Sequence, residues 1–187
     1  SGVNIEDNII EGIRGDASVD TENSMSIHGI QVFGYGDQKV KDIVISNNLI
    51  RDIRNEGGSS WPQYGGASGI KIQNNIDGVT IENNTIKDIH SAGWVYGIVS
   101  TPSSQDTTQP KNVVIKRNHI QGLNDGTVYD VFTDETSAPY TGVAFGLDTA
   151  SGDTASGTPA DASEVELHYN NFETPVGVQN KDLDSTL

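Results

Sequence analysis

The chain has 187 residues and a net charge of −15, from 26 acidic and 11 basic side chains, with no cysteine. That length supports one domain with a sizeable core, and the lack of cysteine excludes disulfides, zinc–thiolate sites and thiol nucleophiles. So negative a surface repels nucleic-acid phosphates and anionic membranes; no apolar run is long enough to span a bilayer.

In chain order, one motif returns five times: GVNIEDNIIEGI (2–13), DIVISNNLIRDI (42–53), GVTIENNTIKDI (78–89), NVVIKRNHIQGL (112–123) and EVELHYNNFETP (164–175). Aligned on its second amide, it gives Asn8, Asn48, Asn84, Asn118 and Asn170. The pairs Val3/Ile5, Ile43/Ile45, Val79/Ile81, Val113/Ile115 and Val165/Leu167 precede this position, and Ile10, Ile50, Ile86, Ile120 and Phe172 follow it. Between these copies lies a second motif, a glycine followed by apolar residues: GIQV (29–32), GIKI (69–72), GIVS (97–100), GVAF (142–145) and GVQN (177–180). Glycine-to-glycine units are 40, 28, 45 and 35 residues long.

Period-two alternation puts Ile70, Ile72, Val79, Ile81 and Ile86 on one side of the backbone. A single extended strand cannot bury that side, but stacked copies can. The repeats therefore predict a parallel β-helix, an all-β solenoid of about five coils. The asparagines mark a bend where a left-handed backbone is tolerated. Their amides are expected to form an internal ladder, because a buried amide needs partners. Length variation falls in return loops before each GI strand (14–28, 54–68, 90–96, 124–141 and 176) and in loops after it (33–42, 73–78, 101–112, 146–164). The small, polar composition of 146–164 reads as a flexible insertion.

These motifs resemble the right-handed, single-stranded parallel β-helix repeats of periplasmic copper-maturation and microbial surface proteins, whose pectate-lyase-like fold also carries polysaccharide lyases, polygalacturonases and tailspikes. The resemblance spans nearly the whole chain and is specific for fold rather than function. It implies that the GI strands build the first sheet, with a substrate groove along its outer face. The outward positions would be Gln31, Lys71, Val99, Ala144 and Gln179, then Phe33, Gln73, Thr101, Gly146 and Lys181. No Asp or Glu stands on those rows, so the paired carboxylates of glycoside hydrolysis are missing from them.

The return loops concentrate aromatic residues. Trp61, Tyr64, Trp94, Tyr96, Tyr129 and Tyr140, with Gln31 and Gln73, form the expected carbohydrate-binding set. The alternative is that the rings pin their loops against the solenoid. The short loop 90–96 between two long ones would leave a notch lined by His90, Trp94 and Tyr96. There His90 is a candidate base, and Lys71 a candidate partner for a sugar carboxylate or for Asp77. Asp125, Asp130, Asp134 and Glu135 in one loop face Asp148 and Asp153 in another. Asp130, Asp134 and Asp148 are the candidate calcium ligands, and Asp130 and Asp148 the acids a hydrolase would use. His28, His119 and His168 show no metal-ligand spacing and read as structural or exposed.

Neither end shows an amphipathic cap, so the chain reads as a single domain, 1–187, cut from a longer solenoid or able to associate end to end. The expected function is a non-catalytic carbohydrate-binding or structural module of an extracellular, cell-surface or periplasmic protein, needing no cofactor beyond calcium. The charge fits a solubilising or halophilic surface. The alternatives are a lyase or hydrolase acting on an acidic polysaccharide, and a purely structural assembly element.

Overall fold

The computed structural model describes residues 2–15, 26–35, 39–55, 66–91, 94–101, 109–124, 142–147, 164–174 and 176–180. Strands β1 (Val3–Glu6), β2 (Ile9–Gly15) and β3 (Ile27–Phe33) make the first pass. They are followed by β4 (Val40–Ser46), β5 (Leu49–Asn55) and β6 (Ala67–Gln73), then by β7 (Ile76–Glu82), β8 (Thr85–Ser91) and β9 (Val95–Thr101). Next come β10 (Lys111–Lys116), β11 (His119–Leu123) and β12 (Val143–Leu147), and finally β13 (Val165–His168), β14 (Asn171–Glu173) and β15 (Val176–Asn180). Every third strand pairs in parallel. Sheet 1 has the order β1-β4-β7-β10-β13, sheet 2 β2-β5-β8-β11-β14, and sheet 3, the GI sheet, β3-β6-β9-β12-β15. The architecture is a parallel β-solenoid.

The register places like on like. Ile43 pairs with Val79 and Val79 with Val113; Ile50 pairs with Ile86 and Ile86 with Ile120; Ile30 pairs with Ile70 and Ile70 with Ile98. These rows converge on one buried cluster, in which most isoleucines of the middle passes are fully covered. Each such side chain contributes roughly 1.5–3 kcal/mol by leaving water.

Sheets 1 and 2 are joined by two residues, and this corner carries the amide ladder. Asn8 donates from N and Nδ2 to Asn48 Oδ1, at 3.0 and 2.9 Å. Asn48 does the same to Asn84, at 3.0 Å for both bonds, and Asn84 to Asn118, again at 3.0 Å. Asn118 continues to Asn170 at 2.9 and 3.1 Å. The second Nδ2 hydrogen reaches back to the preceding pass: Asn48 to Ile5 O, Asn84 to Ile45 O, Asn118 to Ile81 O and Asn170 to Ile115 O, each at 2.9 Å.

The left-handed residue at this corner is not the ladder asparagine, as the sequence reading had it, but the residue before it. Asp7, Asn47, Asn83, Arg117 and Tyr169 have φ between 54° and 58°. The ladder asparagine keeps an ordinary backbone, which aims its amide inward. Two more corners repeat the device and were not foreseen. Asp42, Gly78 and Asn112 precede the first inward residue of sheet 1, and Gly12, Asp52, Asp88 and Gly122 precede the second inward residue of sheet 2, all with positive φ. These columns hold only Gly, Asp and Asn, the types that adopt this conformation most readily.

In sheet 3 a glycine row replaces the bend. A methyl on Gly69 would lie 2.5 Å from Ile86 Cγ2 and 2.7 Å from Gly97 O, so sheets 2 and 3 meet there without room for a side chain. The fourth member of this row is Ala144, not Gly142: Phe145 pairs with Ile98 and Gly146 with Val99. The motif GVAF is thus two residues out of register with GIKI. Gly142 sits instead against Leu123 O, where any Cβ would collide. Gly146 and Leu147 complete β12 and Glu164 is described; 148–163 lie outside the described residues.

Among the described residues four ion pairs join neighbouring passes on the outside, Arg14–Asp52 and Arg51–Glu11 at 2.6 Å, Lys116–Glu82 at 3.0 Å and Lys39–Asp77 at 3.2 Å, while Arg54–Asp52, at 3.1 Å, stays within one strand. Being partly exposed, each contributes about 0–1 kcal/mol. The amide ladder matters more. Asn84→Leu leaves Asn48 without its acceptor and Ile45 O without the Nδ2 donor, and Asn118 Oδ1 keeps only the backbone N–H of residue 84. It is expected to cost ~3 kcal/mol or more of unfolding free energy by urea titration. Asn8→Leu, at the exposed end of the ladder, is expected to cost under about 1 kcal/mol in the same measurement.

Candidate functional site

The outer face of sheet 3 is built from two rows. One runs His28, Ser68, Tyr96, Val143, Val176; the other runs Gln31, Lys71, Val99, Gly146, Gln179. Beyond them Phe33, Gln73 and Thr101 share a register position. The GI row therefore carries the expected outward residues, except that Gly146 takes the place assigned to Ala144, which is buried in the glycine row. None of the five strands carries a carboxylate.

At the centre of this face is a small apolar cluster, separate from the core: Tyr96, Val99 and Val143, with Trp94 and Val176 packed against it. The Tyr96 ring lies over Gly146, and the Trp94 indole over Gly66, each so close that a Cβ on either glycine would overlap it. The Trp94 and Tyr96 centroids are 5.5 Å apart. Tyr96 is buried, so it cannot serve as an open platform for a sugar; it pins the face, the alternative role considered for the return-loop rings. Trp94 is half-buried, stacked at 6.0 Å on His28, with Lys71 Nζ 5.8 Å from its ring. That distance admits a cation–π contact. Lys71 does not take Asp77, which is held instead by Asn112 at 2.7 Å and Lys39 at 3.2 Å. The Asn112 hydrogen bond and then the Lys39 contacts keep the Asp77 carboxyl below the ordinary carboxylate value.

His28 faces outward, not into the core. Its Nδ1 lies 2.8 Å from the hydroxyl of Ser68, which is fully buried. Burial, and then the charge of Lys71, lowers its pKa from 6.5 to about 4. It is therefore a neutral, packed imidazole at physiological pH.

His90 is placed differently from the sequence expectation. It belongs to β8, pairs in register with Arg54 in sheet 2, and is buried. Strand pairing continues past Ile89 through His90 and Ser91, so the short loop contracts to 92–94 and the histidine belongs to sheet 2 rather than to a loop beside Trp94 and Tyr96. His119 lies 3.0 Å from Gln121 Oε1 and 2.9 Å from Asn171 Nδ2, and His168 lies 3.0 Å from Glu166.

Trp61, Tyr64, Tyr129 and Tyr140 lie outside the described residues, as do Asp130, Asp134 and Asp148. Among the described residues no group of three or more metal-ligating side chains converges. The structure adds a pair that the sequence reading did not single out as a site. Phe33 and Tyr35 are 44% and 74% exposed, with ring centroids 6.2 Å apart. The signal was the alternation itself, which already placed Phe33 outward. Tyr35 lies just past the end of β3, where alternation no longer assigns a face. No protein-family model, curated protein or solved structure matches the chain.

The half-buried His28 makes stability depend on pH. Its folded pKa is below the unfolded one, so the unfolded chain takes up the proton first as pH falls. The stabilisation is complete above about 6.5 and lost towards about 4. In a comparison of unfolding free energies at pH 7 and pH 4, His28→Gln is expected to lose on the order of 3 kcal/mol less than the parent on acidification. Equal losses would show that His28 is not held neutral.

Proposed function

We propose that the chain is a non-catalytic β-helix module whose sheet 3 presents a polysaccharide-binding face. In this it is similar to the pectate-lyase-like family, and it would act in an extracellular, cell-surface or periplasmic setting. The carrying observation is the exposed Phe33–Tyr35 ring pair beside Gln31, Gln73 and Lys71, on a sheet without a carboxylate. Rings shed water against the apolar face of a pyranose, while amides and an ammonium group bind its hydroxyls. Two exposed rings side by side form a contiguous apolar surface, the kind that ligand contacts use. The missing carboxylates favour binding over glycosidic cleavage. Calcium held by Asp130, Asp134 and Asp148 would add to this reading by bridging acidic sugars, with the acidic surface suited to high salt.

Affinity electrophoresis and titration calorimetry against neutral and acidic polysaccharides test the assignment. A ligand is expected, and Phe33→Ala with Tyr35→Ala is expected to weaken it ~10-fold without lowering the melting temperature, since both rings are exposed. Unchanged affinity in the double variant would remove the face from the account. Release of unsaturated or reducing products, abolished by Asp130→Asn or Asp148→Asn, would assign a lyase or hydrolase instead.

A further inference from the structure

We propose that the polysaccharide taken by sheet 3 carries protonated amino groups, as a polymer of amino sugars does. The inference rests on the binding face proposed above and adds the charge of its ligand. Two observations carry it: where the net charge of the chain lies, and what the face exposes.

The stacked strands are close to neutral. The described residues carry eleven acidic and ten basic side chains, a net of −1 against −15 for the whole chain. Four acids of sheets 1 and 2 and their flanks are met by bases: Glu11 by Arg51, Asp52 by Arg14, Asp77 by Lys39 and Glu82 by Lys116. Most of the remaining charge is in six connections, 16–25, 36–38, 56–65, 102–108, 125–141 and 148–163, which hold thirteen Asp or Glu and no Lys or Arg. Every one of them opens or closes a strand of sheet 3. Three lead into β3, β6 and β12, and three leave β3, β9 and β12. A charge that served solubility alone could lie on any outer face; this one is distributed by sheet.

Acid attached along both edges of one sheet sets the potential over the face between them. A strand of sheet 3 has five to seven residues and spans about 17–23 Å, so no point of the face is more than roughly 12 Å from an edge. The Debye length is about 8 Å in physiological salt and ~30 Å at 0.01 M. Cations are drawn to such a border and polyanions are turned away.

The face favours the same sign. Its one Lys or Arg among the described residues, Lys71, stands 5.8 Å from the Trp94 ring. Phe33 and Tyr35 are 44% and 74% exposed. An exposed ring packs against the apolar side of a sugar, and it also attracts an ammonium group within about 6 Å of its centroid. An amino sugar offers both groups to the ring pair. A uronic acid offers a carboxylate, which the ring and the border both disfavour.

Titration calorimetry with sugar oligomers of one length is the test. The three ligands are an amino-sugar oligomer with free amines, the same oligomer N-acetylated, and a uronic-acid oligomer. The pH is about 6, where amines and carboxylates are both charged, and a chelator removes divalent cations. At ~0.01 M salt the free-amine oligomer is expected to bind at least ~10-fold tighter than the acetylated one, with the uronic oligomer weakest; at ~1 M salt the difference is expected to fall below ~2-fold. Two variants, each lacking four charges, test position. Asp16→Asn, Asp20→Asn, Glu22→Gln and Asp37→Asn, in the connections around β3, are together expected to cut the amine preference several-fold. Asp7→Asn, Asp42→Asn, Asp88→Asn and Glu166→Gln, on sheets 1 and 2 and their corner, are expected to leave it unchanged; the three aspartates have positive φ, which Asn tolerates. Circular dichroism checks both folds, and the salt dependence of the parent needs neither variant. Binding of the acetylated oligomer through Phe33 and Tyr35 with no preference for free amines would overturn this inference and leave the polysaccharide face standing. Equal losses in the two variants would also overturn it, by tracing the preference to net charge alone. If no oligomer bound, both readings would fall.

Discussion

Every part of this molecule depends on one constraint: residues at the same position in successive passes must lie directly over each other. The Asn8–Asn48–Asn84–Asn118–Asn170 ladder enforces it with directional bonds inside the apolar stack. Apolar rows alone would tolerate a slip, because isoleucine over isoleucine is nearly indifferent to its neighbours. An amide displaced by one residue would leave buried donors and acceptors unpaired, at about 1–3 kcal/mol each. The hydrophobic rows supply most of the stability and the polar row supplies the register.

The corners follow from the same demand. A pass must turn sharply at fixed places, and the turns use left-handed residues at three positions and a glycine row at a fourth. Arg117 and Tyr169 occupy a left-handed position that costs such residues roughly 1–2 kcal/mol, which the flanking rows offset. Asp52 shows how a corner residue gains a second use. Its hydrogen bond from Arg14 and then that from Arg54 keep it ionised, and it ties one pass to the next on the surface.

The solenoid leaves its two-residue corner between sheets 1 and 2 free of insertions. Sheet 3 is flanked on both sides by the variable segments, and is therefore where chemistry can be varied without disturbing the stack. On that sheet, Tyr96 and Trp94 bind inward to the face through Gly146 and Gly66, while Phe33 and Tyr35 remain open to solvent. The same residue type thus divides into buried anchor and exposed ring according to what lies beneath it.

The sequence by itself determined the repeat, the parallel stacking and the amide ladder, because period-two alternation and a recurring buried amide have one economical solution. It also contained the Gly/Asp/Asn columns at positions 12, 52, 88 and 122, legible once their shared positive φ is known. Only the tertiary structure decided three other matters. The register of β12 turned on whether Ala144 or Gly142 fills the glycine row, and both are small enough in isolation. The place of His90 turned on how far pairing with β5 continues past Ile89, which is a property of two strands rather than one. Which rings are buried turned on the glycines under them, residues from different strands or passes that meet only when the coil closes. Local pattern encodes what each pass does alone; the outer face depends on which side chain of one pass lands on which gap of the next.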